Sequence, residues 1–324
     1  DGDAQAAREF CEARRIPVQV KPPTAREIDF IFEAARRAKA AALVLDVRTS
    51  LAPAALDALR AAGLKLIAVD DASARRLKVD LAVYPPVPQA MALGWEGFSG
   101  ECLIGGEWVL LSGEVARRAQ AMPATAAPGR LLVAMGGSDV AGLSEPIARA
   151  CAERLRVAVD VVIGPGVARG EDLAHRLVDE PFIVPHFAPQ DPSAIYAQAR
   201  LAIVSFGVTA YELAALGVPA HYVALTDDHL LSAREAEVLG IGCFTATAAG
   251  LDVGALAAQA GALWSDEARL AAMAMAGRRA IDGRGATRLA RRIAELIGVR
   301  EQAAPAAPAP SETPRPNRRP AVGG

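Results

Sequence analysis

Cysteine is scarce in this 324-residue sequence: Cys11, Cys102, Cys151 and Cys243 lie far apart, and no C-x-x-C pair occurs. That spacing gives neither a zinc site nor a disulfide framework a basis, and a reducing compartment, the cytoplasm, is the expected setting. No apolar run approaches the roughly 18 residues that a membrane-spanning helix needs. G-x-x-x-x-G-K-[ST] is absent and so is a clean G-x-G-x-x-G, which leaves P-loop and NAD readings without a motif. An excess of charge of one sign is missing too. Lys and Arg number 35 against 37 Asp and Glu, a formal charge of -2, so neither nucleic acid nor an anionic membrane surface is indicated as a bulk electrostatic partner. Asp1 follows no initiator Met and opens no signal-peptide pattern, so processing or missing upstream residues are expected.

What is present reads as globular: 52% hydrophobic and 22% charged residues, with room for two domains. Helical periodicity over 3–14 precedes a short apolar strand over 16–20. The alternation then repeats: helix over 28–39, strand over 42–46, helix over 53–62, and strands over 64–69 and 81–84. Residues 117–130 lose apolar periodicity and gain proline and alanine. A second series follows, with strands over 131–135, 157–163, 182–185 and 201–205, another near Cys243, a helix over 143–155 and helical sequence over 266–297. Repeated βα units of this length imply parallel, doubly wound sheets with right-handed crossovers. The expected fold is α/β, with two Rossmann-like domains facing across a cleft and the first domain incomplete. The expected boundaries are 1–120 for the first domain, 121–130 for a linker, 131–300 for the second domain and 301–324 for a disordered tail. Six of the 22 prolines fall in that tail.

In doubly wound sheets ligands bind outside the carboxyl ends of the strands. Two loops there carry small residues, Gly136-Gly137-Ser138 and Ser205-Phe206-Gly207-Val208-Thr209. Thr209 and Glu212 have capping-box spacing at the start of a helix, and N–H groups with a helix dipole favour an anion, most naturally a diphosphate. The same spacing serves a helix that merely caps itself, with Gly207 only turning the chain. Asp228-His229 lies past a strand end within reach of a ligand's sugar, or forms an ordinary solvated pair. His186 and Phe187 occupy a loop where they flank a base or simply pack. His175 reads as exposed, and His221 has no evident partner. Asp70-Asp71 and Asp227-Asp228 read as helix caps in preference to metal ligands, so no metal and no cofactor are expected.

The segments VDDASARRLKVDLAVYPP (69–86), GGEWVLLSGE (105–114), VAMGGSD (133–139), SFGVTAYELAALGVP (205–219) and IDGRGATRLA (281–290) together resemble nucleotide-sugar enzymes of GT-B architecture. They are especially similar to the UDP-sugar hydrolase of pseudaminic acid synthesis and to its spore-coat polysaccharide glycosyltransferase relatives. The resemblance implies a UDP-sugar in the cleft, with Gly136, Gly137, Ser138, Gly207, Val208 and Thr209 facing the diphosphate. It further implies Glu212 on the ribose, His186-Phe187 beside the base and His229 near the ligand. The Gly-x-Gly-His-x-x-Arg loop that opens such enzymes does not occur in this sequence, and Asp46-Val47-Arg48 stands where the hydrolase has Asp-His-Tyr. His229-Leu230 replaces the usual Asn-Gln. Asp46 as base and Arg48 as anion clamp are the remaining catalytic candidates. The expected activity is UDP-sugar-dependent glycosyl transfer in surface-polysaccharide synthesis, to a glycan or lipid-linked acceptor; UDP-sugar hydrolysis and binding without turnover are the alternatives.

Overall fold

The computed structural model describes residues 8, 11–47, 49, 51–121 and 129–299. Two parallel sheets organise them, and each strand feeds a helix or turn before the next. The first series runs α1 (Glu27–Ala38), β1 (Ala42–Leu45), α2 (Pro53–Ala61), β2 (Lys65–Val69), β3 (Leu81–Tyr84), α3 (Pro88–Met91), β4 (Glu101–Ile104) and α4 (Gly113–Ala121). Its sheet has the order β1-β2-β3-β4, all parallel. The second series runs β5 (Arg130–Ala134), α5 (Ser144–Leu155), β6 (Ala158–Ile163), α6 (Gly170–Val178), β7 (Ile183–Phe187), α7 (Ser193–Tyr196), β8 (Ala199–Ser205), α8 (Val208–Leu216), β9 (Ala220–Ala224), α9 (Asp227–Val238) and β10 (Cys243–Thr247). It closes with α10 (Val253–Trp264), α11 (Glu267–Ala280) and α12 (Gly285–Leu296).

The second sheet has the order β10-β9-β8-β5-β6-β7, so the chain winds outward one way through β6 and β7 and then reverses to β8 beside β5. The reversal point lies between β5 and β8, where Val133 pairs with Ile203. Both faces are covered, as a parallel sheet requires. Leu132, Ala202 and Val204 pack with Leu213 and Tyr222 on one side; Leu131, Val133 and Ile203 pack with Ile147, Leu256 and Leu270 on the other. The helices start where side chains take their orphan N–H groups. Asp252 accepts from Ala255 N at 2.9 Å, Asp266 from Arg269 N at 2.9 Å, and Thr226 from His229 N at 3.2 Å.

The last helix returns to the first domain. Leu289, Ile293 and Leu296 of α12 pack against Ile67, Leu81, Val83 and Leu103, and Arg292 Nε donates to Glu101 at 2.8 Å. Backbones come so close at this junction that only glycine fits: a Cβ on Gly285 would stand 2.1 Å from the Val109 carbonyl oxygen.

Three local expectations are corrected. Residues 16–20 are extended but join no sheet among the described residues, and Ile16, Val18 and Val20 point outward; apolar alternation makes a strand only where a neighbour takes up the backbone groups. β4 was not anticipated, because of its four residues only Leu103 is buried. His186 and Phe187 belong to strand β7 and not to a loop, since β7 is an edge strand that tolerates Pro185. Arg48, most of the 121–130 linker and the 301–324 tail lie outside the described residues.

Candidate functional site

At the reversal point of the second sheet the loops after β5 and β8 lie side by side. Gly136 turns at φ 85°, in the left-handed region, and a Cβ built on it would stand 3.3 Å from Ser205 Oγ. A Cβ on Gly137 or on Gly207 would meet nothing within 4 Å, so both loops present bare backbone to open space. The loop after β6 buttresses the first one, with Gly166 N donating to Gly137 O at 2.9 Å.

The helices behind these loops differ in a way that matters for anion binding. Asp139 accepts from Leu143 N and Ser144 N, both at 2.9 Å, and so occupies the N-terminus of α5 itself. At α8 the N-cap is Gly207, with no side-chain cap, which leaves the first N–H groups and the dipole available. The expected capping box is therefore absent: the helix opens at Val208, and Thr209 sits within its first turn. Glu212, half-buried one turn on, has its carboxyl pushed above the usual range by burial, so a partner that donates hydrogen bonds to it would be favoured.

Across from α8 stand the carboxyl ends of the first sheet. Asp46, Val69, Asp70, Tyr84 and Trp108 from that side, with Val208 and Tyr211 of α8, line a cavity of about 200 Å³. Larger hollows exist: one of about 450 Å³ beside α1, lined by Phe32, Arg36 and Lys39, lies away from the strand ends, whereas one of about 700 Å³ is bordered by Ser138, Asp139 and Gly166 in the loops after β5 and β6. Asp71 accepts from Ser73 N at 2.8 Å and pairs with the buried Arg75 at 2.7 Å; the helical turn that follows is capped by Ser73, whose side chain accepts from Arg75 N, and not by the acidic pair as expected. Asp70 instead turns at φ 50° toward the cleft. On the other flank, Gln89 Nε2 donates to Asp228 O at 2.7 Å and lies 3.3 Å from Ser232 Oγ, tying α3 to α9.

The remaining sequence candidates are distributed unevenly. His229 lies in the first turn of α9, its N–H held by Thr226, and Asp227 and Asp228 occupy the same turn, where negative charge suits the dipole. His186 is two strands from β5 and is engaged: Nε2 lies 2.7 Å from Asp160 Oδ1, and Arg130 Nη2 donates to the same carboxylate at 2.6 Å. Burial opposes ionisation of Asp160, but the Arg130 and His186 bonds outweigh it and hold the carboxyl below its ordinary range. Phe187 backs onto α6, where a Cβ on Gly170 would collide with its ring. His221, without an evident partner in sequence, is buried in β9 with Nδ1 3.0 Å from Thr245 Oγ1. His175 lies in the last turn of α6 and is exposed. Sequence reasoning missed Tyr211, Trp108 and Gln89; no local motif marks them, because their role arises only when the two domains meet. No helix among the described residues is long and apolar enough to cross a membrane.

No family of known sequence pattern matches the chain, and no curated protein does. Solved structures do match over most of the length. The S. aureus MnaA–UDP co-structure is 12% identical, covers 90% of this chain and 86% of its own, and superposes with a TM-score of 0.61. Acinetobacter baumannii MurG is 16% identical over 90% of this chain and 87% of its own, with a TM-score of 0.58. UDP-GlcNAc 2-epimerase from Neisseria meningitidis bound to UDP-GlcNAc is 11% identical over 90% of each chain, with a TM-score of 0.61. At such identities the likeness is one of fold, and the fold of this chain is two parallel-sheet α/β domains facing across a cleft, GT-B-like in architecture.

Proposed function

We propose that the chain binds a uridine diphosphate sugar in this cleft and acts on the bond between sugar and diphosphate, as a glycosyltransferase-like enzyme. The observation that carries the reading is the meeting of two bare glycine loops at the reversal point of the second sheet, one of them opening an uncapped helix. Bound UDP or UDP-sugar in structures of the same fold supports it.

In this reading the N–H groups at 136–138 and 207–209 receive the diphosphate, and the α8 dipole offsets its charge. The same donors stabilise the charge that develops as the diphosphate departs, which requires no metal ion. Glu212 accepts from the ribose hydroxyls, which its desolvated carboxyl favours. His186 and Phe187 flank the base, with His186 oriented by Asp160, and His229 contacts the ligand from α9. Asp46, across the cavity, is the base for an acceptor hydroxyl, and Arg48 clamps anionic charge. A glycan or lipid-linked acceptor of surface-polysaccharide synthesis is the proposed nucleophile; water in its place would make the protein a hydrolase.

Calorimetry with UDP in excess EDTA tests the binding half. Affinity is expected without metal, and it should fall in Thr209→Ala and Glu212→Ala. Equal affinity in all three proteins would remove the site. UDP release from a panel of UDP-sugars, with and without acceptor glycan, tests the chemistry: release that depends on acceptor identifies transfer, and release into water alone identifies hydrolysis.

A further inference from the structure

The diphosphate reading leaves one buried polar atom of the cleft unused. Tyr211 is 6% exposed, and its hydroxyl, fully shielded from solvent, has no hydrogen-bond partner. Native proteins leave few buried polar groups in that condition, and those few call for a specific explanation. The ring cannot turn away easily, because it stands edge-on to Phe206 with centroids 5.8 Å apart and planes at 84°. It lines the same cavity as Asp70. Asp70 is itself fixed, by its left-handed backbone and by a bond from its N–H to Val83 O at 2.9 Å. Burial, with the Asp70 carboxylate adding to it, pushes the Tyr211 hydroxyl upward, so it stays protonated and able to donate.

The size and position of the cavity narrow its occupant. About 200 Å³ falls below the 300–1,000 Å³ typical of sites for whole drug-sized ligands, which suits one sugar ring. The cavity borders Val208, the first residue of α8, and so adjoins the loops assigned to the diphosphate. Tyr211, a donor, and Asp70, an acceptor, both line this cavity, and together they match a ligand whose hydroxyls do both.

We propose that Tyr211 and Asp70 form the subsite for the glycosyl group of the nucleotide sugar, Tyr211 donating to a sugar oxygen and Asp70 accepting from a sugar hydroxyl. The proposal rests on the nucleotide-sugar reading above and adds to it which residues distinguish the sugar.

Calorimetry with UDP, UDP-glucose, UDP-galactose and UDP-GlcNAc separates the two. UDP binding by the parent protein tests the nucleotide reading alone; without it, both readings fall. The best UDP-sugar is expected to bind more tightly than UDP, and Tyr211→Phe and Asp70→Asn should each weaken it about tenfold, the loss of one hydrogen bond, while UDP affinity stays within about twofold. Because Tyr211→Phe removes only an unpartnered oxygen, its melting temperature should equal or exceed the parent's. The subsite is overturned, with the nucleotide reading intact, if no UDP-sugar outbinds UDP or if both variants keep the parent's UDP-sugar affinity. It is likewise overturned if the variants lose affinity only for free N-acetylglucosamine in the presence of UDP, or if Tyr211→Phe lowers the melting temperature.

Discussion

Neighbouring glycines in one loop allow stability and binding to be separated. At Gly136 an alanine would have to adopt φ 85°, with its methyl 3.3 Å from Ser205 Oγ; left-handed backbone costs a non-glycine residue about 1–2 kcal/mol. At 2–4 °C per kcal/mol for a domain of this size, Gly136→Ala should melt roughly 2–8 °C below the parent. At Gly137 the backbone is ordinary and a methyl meets nothing within 4 Å, so Gly137→Ala should melt within about 1 °C of the parent. If that open space holds a diphosphate oxygen, however, the methyl pushes it off an N–H donor. A hydrogen bond to a charged group contributes about 1.5–3 kcal/mol, so UDP affinity should fall roughly ten- to a hundredfold. Differential scanning calorimetry supplies the first quantity and isothermal titration the second. A Gly137→Ala protein that binds UDP as tightly as the parent would refute the placement of the diphosphate at this loop.

Other consequences can be checked by stability measurements. Asp160 is 4% exposed beneath Arg130 and His186; removing one partner of a buried pair costs up to about 3–5 kcal/mol. Because Arg130 and His186 can still reach water, Asp160→Asn should lose about 2–3 kcal/mol in urea at pH 7, and a loss under about 0.5 kcal/mol would contradict the accounting. Burial, with Arg269 adding to it, pushes the His221 imidazole down from 6.5 to about 4. A depressed imidazole favours the unfolded state once pH drops below the unfolded value, so stability should decline by about 3 kcal/mol between pH 6.5 and pH 4, and His221→Gln should flatten that segment of the profile. Gly285→Ala places a methyl against the Val109 carbonyl; overpacking typically costs about 1–3 kcal/mol, and hydrogen exchange should rise selectively in α12 as it loosens from the first sheet.

Much of this architecture was legible because parallel sheets write themselves plainly. β3 matches the expected 81–84, and β1, β2, β5 and β6 fall within a residue of expectation at each end, since strands of a parallel sheet are continuous apolar runs closed by glycine, proline or aspartate. What failed was at edges and at caps. His186 and Phe187 read as a loop after the strand expected over 182–185, yet β7 continues through both, and as an edge strand it has one free side where the missing N–H of Pro185 does no harm. Thr209-x-x-Glu212 has the letters of a capping box, but the N-cap is Gly207, extended at φ 168°, and the helix begins at Val208, two residues earlier than the box requires, which puts Thr209 inside the first turn. Asp160 in the strand AVDVVI is a carboxylate in an apolar run, and its partners Arg130 and His186 come from the two neighbouring strands, a pairing that only sheet order reveals. Asp70 and Tyr211 belong to different domains, so nothing local in either segment announces that they share a cavity.

In the proposed reading, the way the carboxylates of the two domains are engaged lets a diphosphate and acidic side chains coexist. Asp139 is consumed by the N-terminus of α5, Asp71 by Ser73 N and Arg75, and Asp160 by Arg130 and His186. Each of these carboxylates is engaged where it stands, Asp139 by backbone N–H groups and Asp71 and Asp160 by arginines. Asp46 and Asp70 line the cavity from the opposite wall, on the first sheet. With the diphosphate placed as proposed, its negative charge meets the uncapped dipole of α8 and the acidic wall faces the sugar side of the ligand. Contacts on two flanks hold the walls to this arrangement: α12 is locked to the first sheet through Gly285 and Arg292, and α3 is tied to α9 through Gln89. In the proposed reading a metal ion is not required at such a site, and UDP affinity in excess EDTA tests this. The charge that a cation would offset already faces backbone donors, and the carboxylates that would hold it are either paired or turned to the other wall.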